Sequence, residues 1–200
     1  MANYTLVELA PEVAPKLASL TGIEWDLKSA QEFAQKLKTV ELLDDGGREL
    51  TDGLMTALVI RYGRPFKWSK GRIKLEDADL VSVFSPAQKE AHGRYIEMRD
   101  RFIAHPDNDF EESKPVARYW VERVLSEGIV AVDCNHRRVV GLGSNDLDWF
   151  IELTTVLLEY VQRRQVEEKA RALEYVRTLP LKDVLGAEAL KIAQAFHGKS

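Results

Sequence analysis

The sequence predicts a mainly α-helical fold, an up-and-down helical bundle with a small β-hairpin insertion. Three observations predict it. Apolar residues recur at helical spacing over long stretches of the chain. Helix start and stop signals separate those stretches. One short region, 128–142, replaces that periodicity with two β-branched runs about a polar turn.

The elements follow in order. Residues 4–20 are apolar but carry Pro11 and Pro15, which argues against a continuous helix there. Asp26 reads as the N-cap of a helix running to about Leu43, with Leu27, Ala30, Phe33, Ala34 and Leu37 on its apolar face. "DDGG", Asp44 to Gly47, ends it. "ELTDGLMTALVIRYG" is apolar on most sides and is expected at the centre of the bundle. "RYGRPFKWSKGRIK", residues 61–74, is a loop by its glycines and proline.

"SPAQ" then opens a helix, with Ser85 as cap, Pro86 at the first helical position and Gln88 as the capping-box partner. It runs into "RDRFIAH" and stops at Pro106. "PDNDFEESKP" reads as an acidic loop, and "VARYWVERV" as either a strand or a short helix. "GIVAVDCNHRRVVGL" reads as the hairpin. Ser144 or Asn145 caps the longest helix, from Asp146 towards Arg177, with Phe150, Leu153, Leu157 and Val161 as its stripe. Pro180 breaks the chain before a last amphipathic helix near 183–197.

The chain has 200 residues, enough for one domain with a real core, here taken as 1–200. A hydrophobic fraction of 45% and a charged fraction of 30% are those of a globular protein. The single cysteine, Cys134, excludes an internal disulfide framework and fits a reducing compartment. No apolar stretch approaches the roughly 20 residues of a membrane span, and no leader-like start is present, so a cytoplasmic location is expected. A net charge of −4 argues against bulk capture of nucleic acid but leaves room for a local basic patch.

Two segments carry chemistry. On the helix leading into "RDRFIAHPDN", residues 99–108, Arg94, Met98, Arg101 and His105 form one stripe of an ideal helix, and Arg99 lies roughly 120° from His105. Pro106 pushes His105 off helical geometry, freeing its ring to swing. An imidazole titrating near neutrality suits proton transfer. Arg99 or Arg101 suits bidentate contact with a phosphate, and Asp100 can orient either group. The same cluster also fits the solvated end of a helix, where a histidine meets the negative end of the dipole. In the 61–74 loop, basic residues alternate with Tyr62, Phe66 and Trp68, and no acid intervenes. Arg64, Lys67 and Trp68 then offer charge and a π face to single-stranded nucleic acid. Alternatively, the aromatics anchor the loop to the core.

"RDRFIAH" resembles the Rx4-6H motif of HEPN domains, with Arg99 as motif arginine, Asp100 as its polar neighbour and His105 as motif histidine. The run from "RYGRPF" through a loop to "MRDRFIAHPD" looks like abortive-infection-type HEPN proteins. The resemblance covers about residues 50–110 and, more loosely, the helix from 146. It implies a helical bundle, a homodimer that brings two motif histidines together, and metal-independent endoribonuclease activity in defence or toxin–antitoxin systems. An antitoxin or regulatory partner belongs to that expectation. Other relatives are non-catalytic RNA-binding or interaction modules. Asp100 departs from the family's usual asparagine and adds negative charge where a phosphate would approach. In the chemistry so implied, the ribose 2′-hydroxyl attacks phosphorus, His105 and the partner's His105 share acid and base roles, and Arg99 stabilises the phosphoryl oxygens. The products are a 2′,3′-cyclic phosphate and a 5′-hydroxyl, and no metal or other cofactor is called for.

Other motifs are weaker. Cys134 and His136 are too few ligands for zinc. "GLGSND" lacks the lysine of a P-loop and reads as a loop and helix cap. His92 either assists the motif or packs against Tyr95. His197 reads as solvated, and the charged run 163–177 as an exposed or partner-facing helix.

Overall fold

A computed structural model describes residues 14–40, 48–103, 111–123, 128–138, 142–180 and Val184. The described structure is mainly helical, with one two-stranded antiparallel sheet. No helix among the described residues is long and apolar enough to cross a membrane.

Helix α1 spans Pro15–Val40. It therefore begins well before Asp26, and the expectation of an N-cap there is corrected. Pro15 occupies the first helical position, where its missing N–H costs no hydrogen bond. Asp26 instead sits mid-helix on the apolar stripe formed by Leu20, Ile23, Leu27, Ala30, Ala34 and Leu37, all buried. That spacing of three and four gives α1 one continuous apolar face.

Helix α2, Arg48–Gly63, buries Met55, Leu58, Val59 and Tyr62 but exposes Leu50 and Ile60. It is thus one-sided rather than central. The hub is α1, which packs against both α2 and the long helix α5, Ser144–Thr178. The α5 stripe Phe150, Leu153, Leu157 and Val161 is fully buried, as its periodicity predicts. Gly143 caps α5 in place of Ser144 or Asn145, its N–H donating to Asp146 Oδ2 at 3.1 Å.

A short helix α3, Asp77–Val81, precedes α4, Pro86–Met98. At the start of α4 the Ser85–Gln88 capping box forms in both directions, with N···O distances of 2.9 and 3.3 Å. α4 packs on α2 and α5. Where they meet, Tyr62, Tyr95 and Phe150 form an aromatic cluster with centroids 4.8 to 5.8 Å apart. Beyond Met98 the helix widens into a π turn, Arg99–Ile103.

Strand β1, Glu111–Tyr119, pairs with β2, Ile129–Arg138. Two expectations change here. The second half of the acidic loop is strand, and "DCNHRR" is no turn but the middle and end of β2. The hairpin therefore joins two segments instead of folding within 128–142. Only Val116–Tyr119 of the ambiguous "VARYWVERV" is strand, and a 3₁₀ turn follows at Val121–Arg123. Opposed Ala117/Val132 and Pro115/Cys134 give one apolar face, while Arg118 and Asp133 form an ion pair on the other. The last amphipathic helix, near 183–197, lies outside the described residues apart from Val184.

Candidate functional site

The site is built where α2 ends and α4 widens. Pro65 turns the chain after α2 in a 3₁₀ turn, Arg64–Phe66. The Phe66 ring then packs on Tyr62 at 5.5 Å and on His92 at 4.6 Å. The loop is closed by Leu75 N–H donating to Pro65 O at 2.8 Å, and tied to α1 by Ile73 N–H donating to Ser19 Oγ at 3.3 Å. Of the loop aromatics, Phe66 is therefore an anchor, while Trp68 stands 79% exposed.

Three of the expected residues meet. Lys67 Nζ donates to Asp100 Oδ2 at 2.6 Å, and Arg99 Nη1 donates to Asp100 Oδ1 at 2.8 Å. Burial pushes the Asp100 carboxyl up, but the hydrogen bonds and charges of Lys67 and Arg99 outweigh it and hold it below its ordinary range. The carboxylate is therefore ionised at neutral pH and draws both cations to itself.

Arg99 reaches this position because residue 63 has no side chain. A Cβ on Gly63 would come within 2.9 Å of Arg99 Cγ. Gly63 itself has ordinary helical angles, so its role is to admit the arginine rather than to bend the chain. A Gly63→Ala variant is expected to keep its helix content while pushing Arg99 away from Asp100. The Asp100 carboxyl should then titrate at a higher pH than in the wild type, read by carboxyl ¹³C NMR. An unmoved Asp100 titration would show that this close approach does not position Arg99.

The remaining expected residues are dispersed. Arg101 turns back to Glu97 at 3.2 Å, and both are half exposed. Arg64 points to Asp26 instead of Asp100. His105 lies outside the described residues, as do Pro106 and His197. Cys134 is an exposed free thiol on β2.

Two residues take roles other than those the sequence suggested. The first is Asp26, only 2% exposed, which accepts a hydrogen bond from Arg61 Nη1 at 2.8 Å and forms ion pairs with Arg64 at 3.3 Å and Arg72 at 2.7 Å. A lone acid on the apolar face of α1 was the available signal, since a buried carboxylate requires cationic partners. The second is His92, which hydrogen-bonds Tyr62 Oη through Nδ1 at 2.8 Å and packs against Phe66 and Phe84. Burial pushes its imidazole down to about 4, with Asp77 opposing weakly, so the ring is neutral at physiological pH. It belongs to the core and not to the Arg99 cluster.

No protein-family model, curated protein or solved structure matches the chain.

Proposed function

We propose that this chain is a HEPN-like protein acting as a metal-independent endoribonuclease, with Arg99 and His105 in the catalytic roles and a homodimer assembling the full site. The observation that carries the reading is the meeting of Arg99, Asp100 and Lys67 at the widened end of α4, immediately before His105 in the sequence. π turns within α-helices are frequent at functional sites. The motif arginine and a loop lysine supply two cations in one place, which a phosphodiester needs. In this reading Lys67 and Arg64 contact the strand, Trp68 stacks on a base, and Arg101 borders the site. Asp100 orients Arg99 until substrate arrives.

His105 then moves the 2′-hydroxyl proton as general base, and the partner's His105 protonates the leaving 5′-oxygen. Arg99 stabilises charge on the non-bridging oxygens. A place in phage defence or a toxin–antitoxin pair, with an antitoxin as regulatory partner, is part of the same proposal.

One observation favours a second reading, a non-catalytic dimeric RNA-binding or protein-interaction module. Asp100 already engages both cations, so a phosphate must displace a carboxylate to reach them. Incubating the protein with mixed single-stranded RNA in EDTA, beside a folded His105→Ala variant, decides between them. Cleavage by the wild type, reduced in the variant by a factor of roughly 100 or more, is the expected result. Equal cleavage by both removes His105 as the catalyst, and no cleavage by either leaves the module.

A further inference from the structure

The motif cluster is not the only place where one aspartate gathers several cations. Asp26 Oδ1 lies 2.8 Å from Arg61 Nη1 and 3.3 Å from Arg64 Nη1, while Arg72 Nη2 lies 2.7 Å from Oδ2. One carboxylate thus faces three guanidinium groups, leaving two positive charges in excess. Among the described residues, no other acidic side chain forms an ion pair with any of the three. The chain as a whole carries a net charge of −4, so this surplus is local.

The three arginines divide the work. The Arg72 guanidinium lies over Gly22 of α1, and its Nε and Nη2 are buried with no hydrogen-bond partner among the described residues, so it is held at Asp26 by charge and serves as an anchor. Arg61 and Arg64 are 35% and 48% exposed, and each spends one Nη1 on the same carboxylate oxygen. Both guanidinium groups therefore meet at one carboxylate oxygen while keeping a third to a half of their side-chain surface open to solvent. Guanidinium groups repel, and holding two together beside a single acid favours a further anion between them. A surplus of two charges matches a phosphate group, and the paired forks match its tetrahedral oxygens.

We propose that Arg61 and Arg64, oriented by Asp26 and braced by Arg72, form a phosphate-binding site separate from the Arg99–Asp100–Lys67 cluster. The turn at 63–67 connects the two. Gly63 packs on Arg99, Arg64 joins Asp26, and Lys67 joins Asp100. A single strand crossing that turn would place one phosphate at each cluster. This use of the site rests on the ribonuclease reading, whereas binding of a free phosphate does not.

The test compares the wild type with Arg64→Gln, using Arg171→Gln on α5 as a charge-matched control. Arg64→Lys, which keeps the charge and loses the fork, replaces Arg64→Gln should that variant not fold. One arm measures the shift in Tm on adding inorganic pyrophosphate at fixed ionic strength. The other measures binding of a labelled RNA of about 12 nucleotides across a salt series. In the first arm, pyrophosphate is expected to raise Tm in the wild type and the control but not in Arg64→Gln. In the second, Arg64→Gln is expected to bind RNA about tenfold more weakly, with a salt slope shallower by about 0.7. Dependence on Arg64 in either arm supports the site and identifies the source of the phosphate. Dependence in neither arm overturns it. RNA binding that is intact and independent of Arg64, with no pyrophosphate response that depends on Arg64, overturns the site and leaves the ribonuclease reading standing. A pyrophosphate response without RNA binding does the reverse.

Discussion

Replacing Asp26 with alanine is expected to lower the unfolding free energy by about 3 kcal/mol or more, one of the largest losses any single polar residue here can cause. The carboxylate is 2% exposed and draws together α1, the end of α2 and the 64–74 loop through three arginines. Removing it leaves three guanidinium groups facing one another, two of them partly open to solvent and Arg72 mostly buried. Solvent screening at Arg61 and Arg64 keeps the cost near the lower end of the range for broken buried pairs. Urea unfolding of the variant beside the wild type measures it. A loss under about 1 kcal/mol would mean that the arginines find water as readily as they find Asp26.

The second large effect is on the acid side. His92 has its folded pKa pushed down to about 4 from 6.5, with burial as the main cause. Above pH 6.5 the ring is neutral in both states and the stability is whole. Between 6.5 and 4 the unfolded chain binds a proton that the folded chain refuses, so stability falls as the pH falls. The loss is about 2–3 kcal/mol once pH 4 is passed, allowing for the part of the ring that water reaches. Glu24 adds a separate phase. Its hydrogen bond from Lys28, with further bonds from Gln165 and Gln162 and with burial opposing, holds its carboxyl down at about 2 from 4.5. Its contribution is present above pH 4.5 and disappears as the pH drops towards 2. Chemical denaturation at a series of pH values should show both phases, and a His92→Gln variant should lose only the first. A flat profile from 6.5 to 4.5 in the wild type would contradict the burial of His92.

What the sequence revealed divides along physical lines. The faces of α1 and α5 were legible because apolar spacing encodes burial directly: Leu27, Ala30 and Ala34 on one, and Phe150, Leu153 and Leu157 on the other, are all inside. The Ser85–Gln88 cap was legible because its chemistry is local. Asp26 misled because aspartate is a common N-cap, and only the tertiary fold brings Arg61, Arg64 and Arg72 to it. The hairpin was misplaced because "DCNHRR" has the polarity of a turn, while its partner strand begins in a segment whose acidic residues read as a loop. At the motif, the sequence paired Asp100 with its neighbouring arginines but not with Lys67, which the 61–74 loop brings to the same carboxylate. Gly63 escaped because the need for a missing side chain shows only when two helices meet.

The wide turn at Arg99–Ile103 also bears on how much change in length this part of the chain tolerates. A π turn closes its hydrogen bonds over one residue more than an α turn, and this is how a helix absorbs a single inserted residue without losing register. Upstream, α4 keeps its phase through Ala91 and Tyr95, both buried. The widening therefore begins after Met98, past the last buried residue of α4. A chain one residue shorter here would fit the same frame with an ordinary α turn. The number of residues that follow Arg99 can thus change by one while Ala91 and Tyr95 stay in the core.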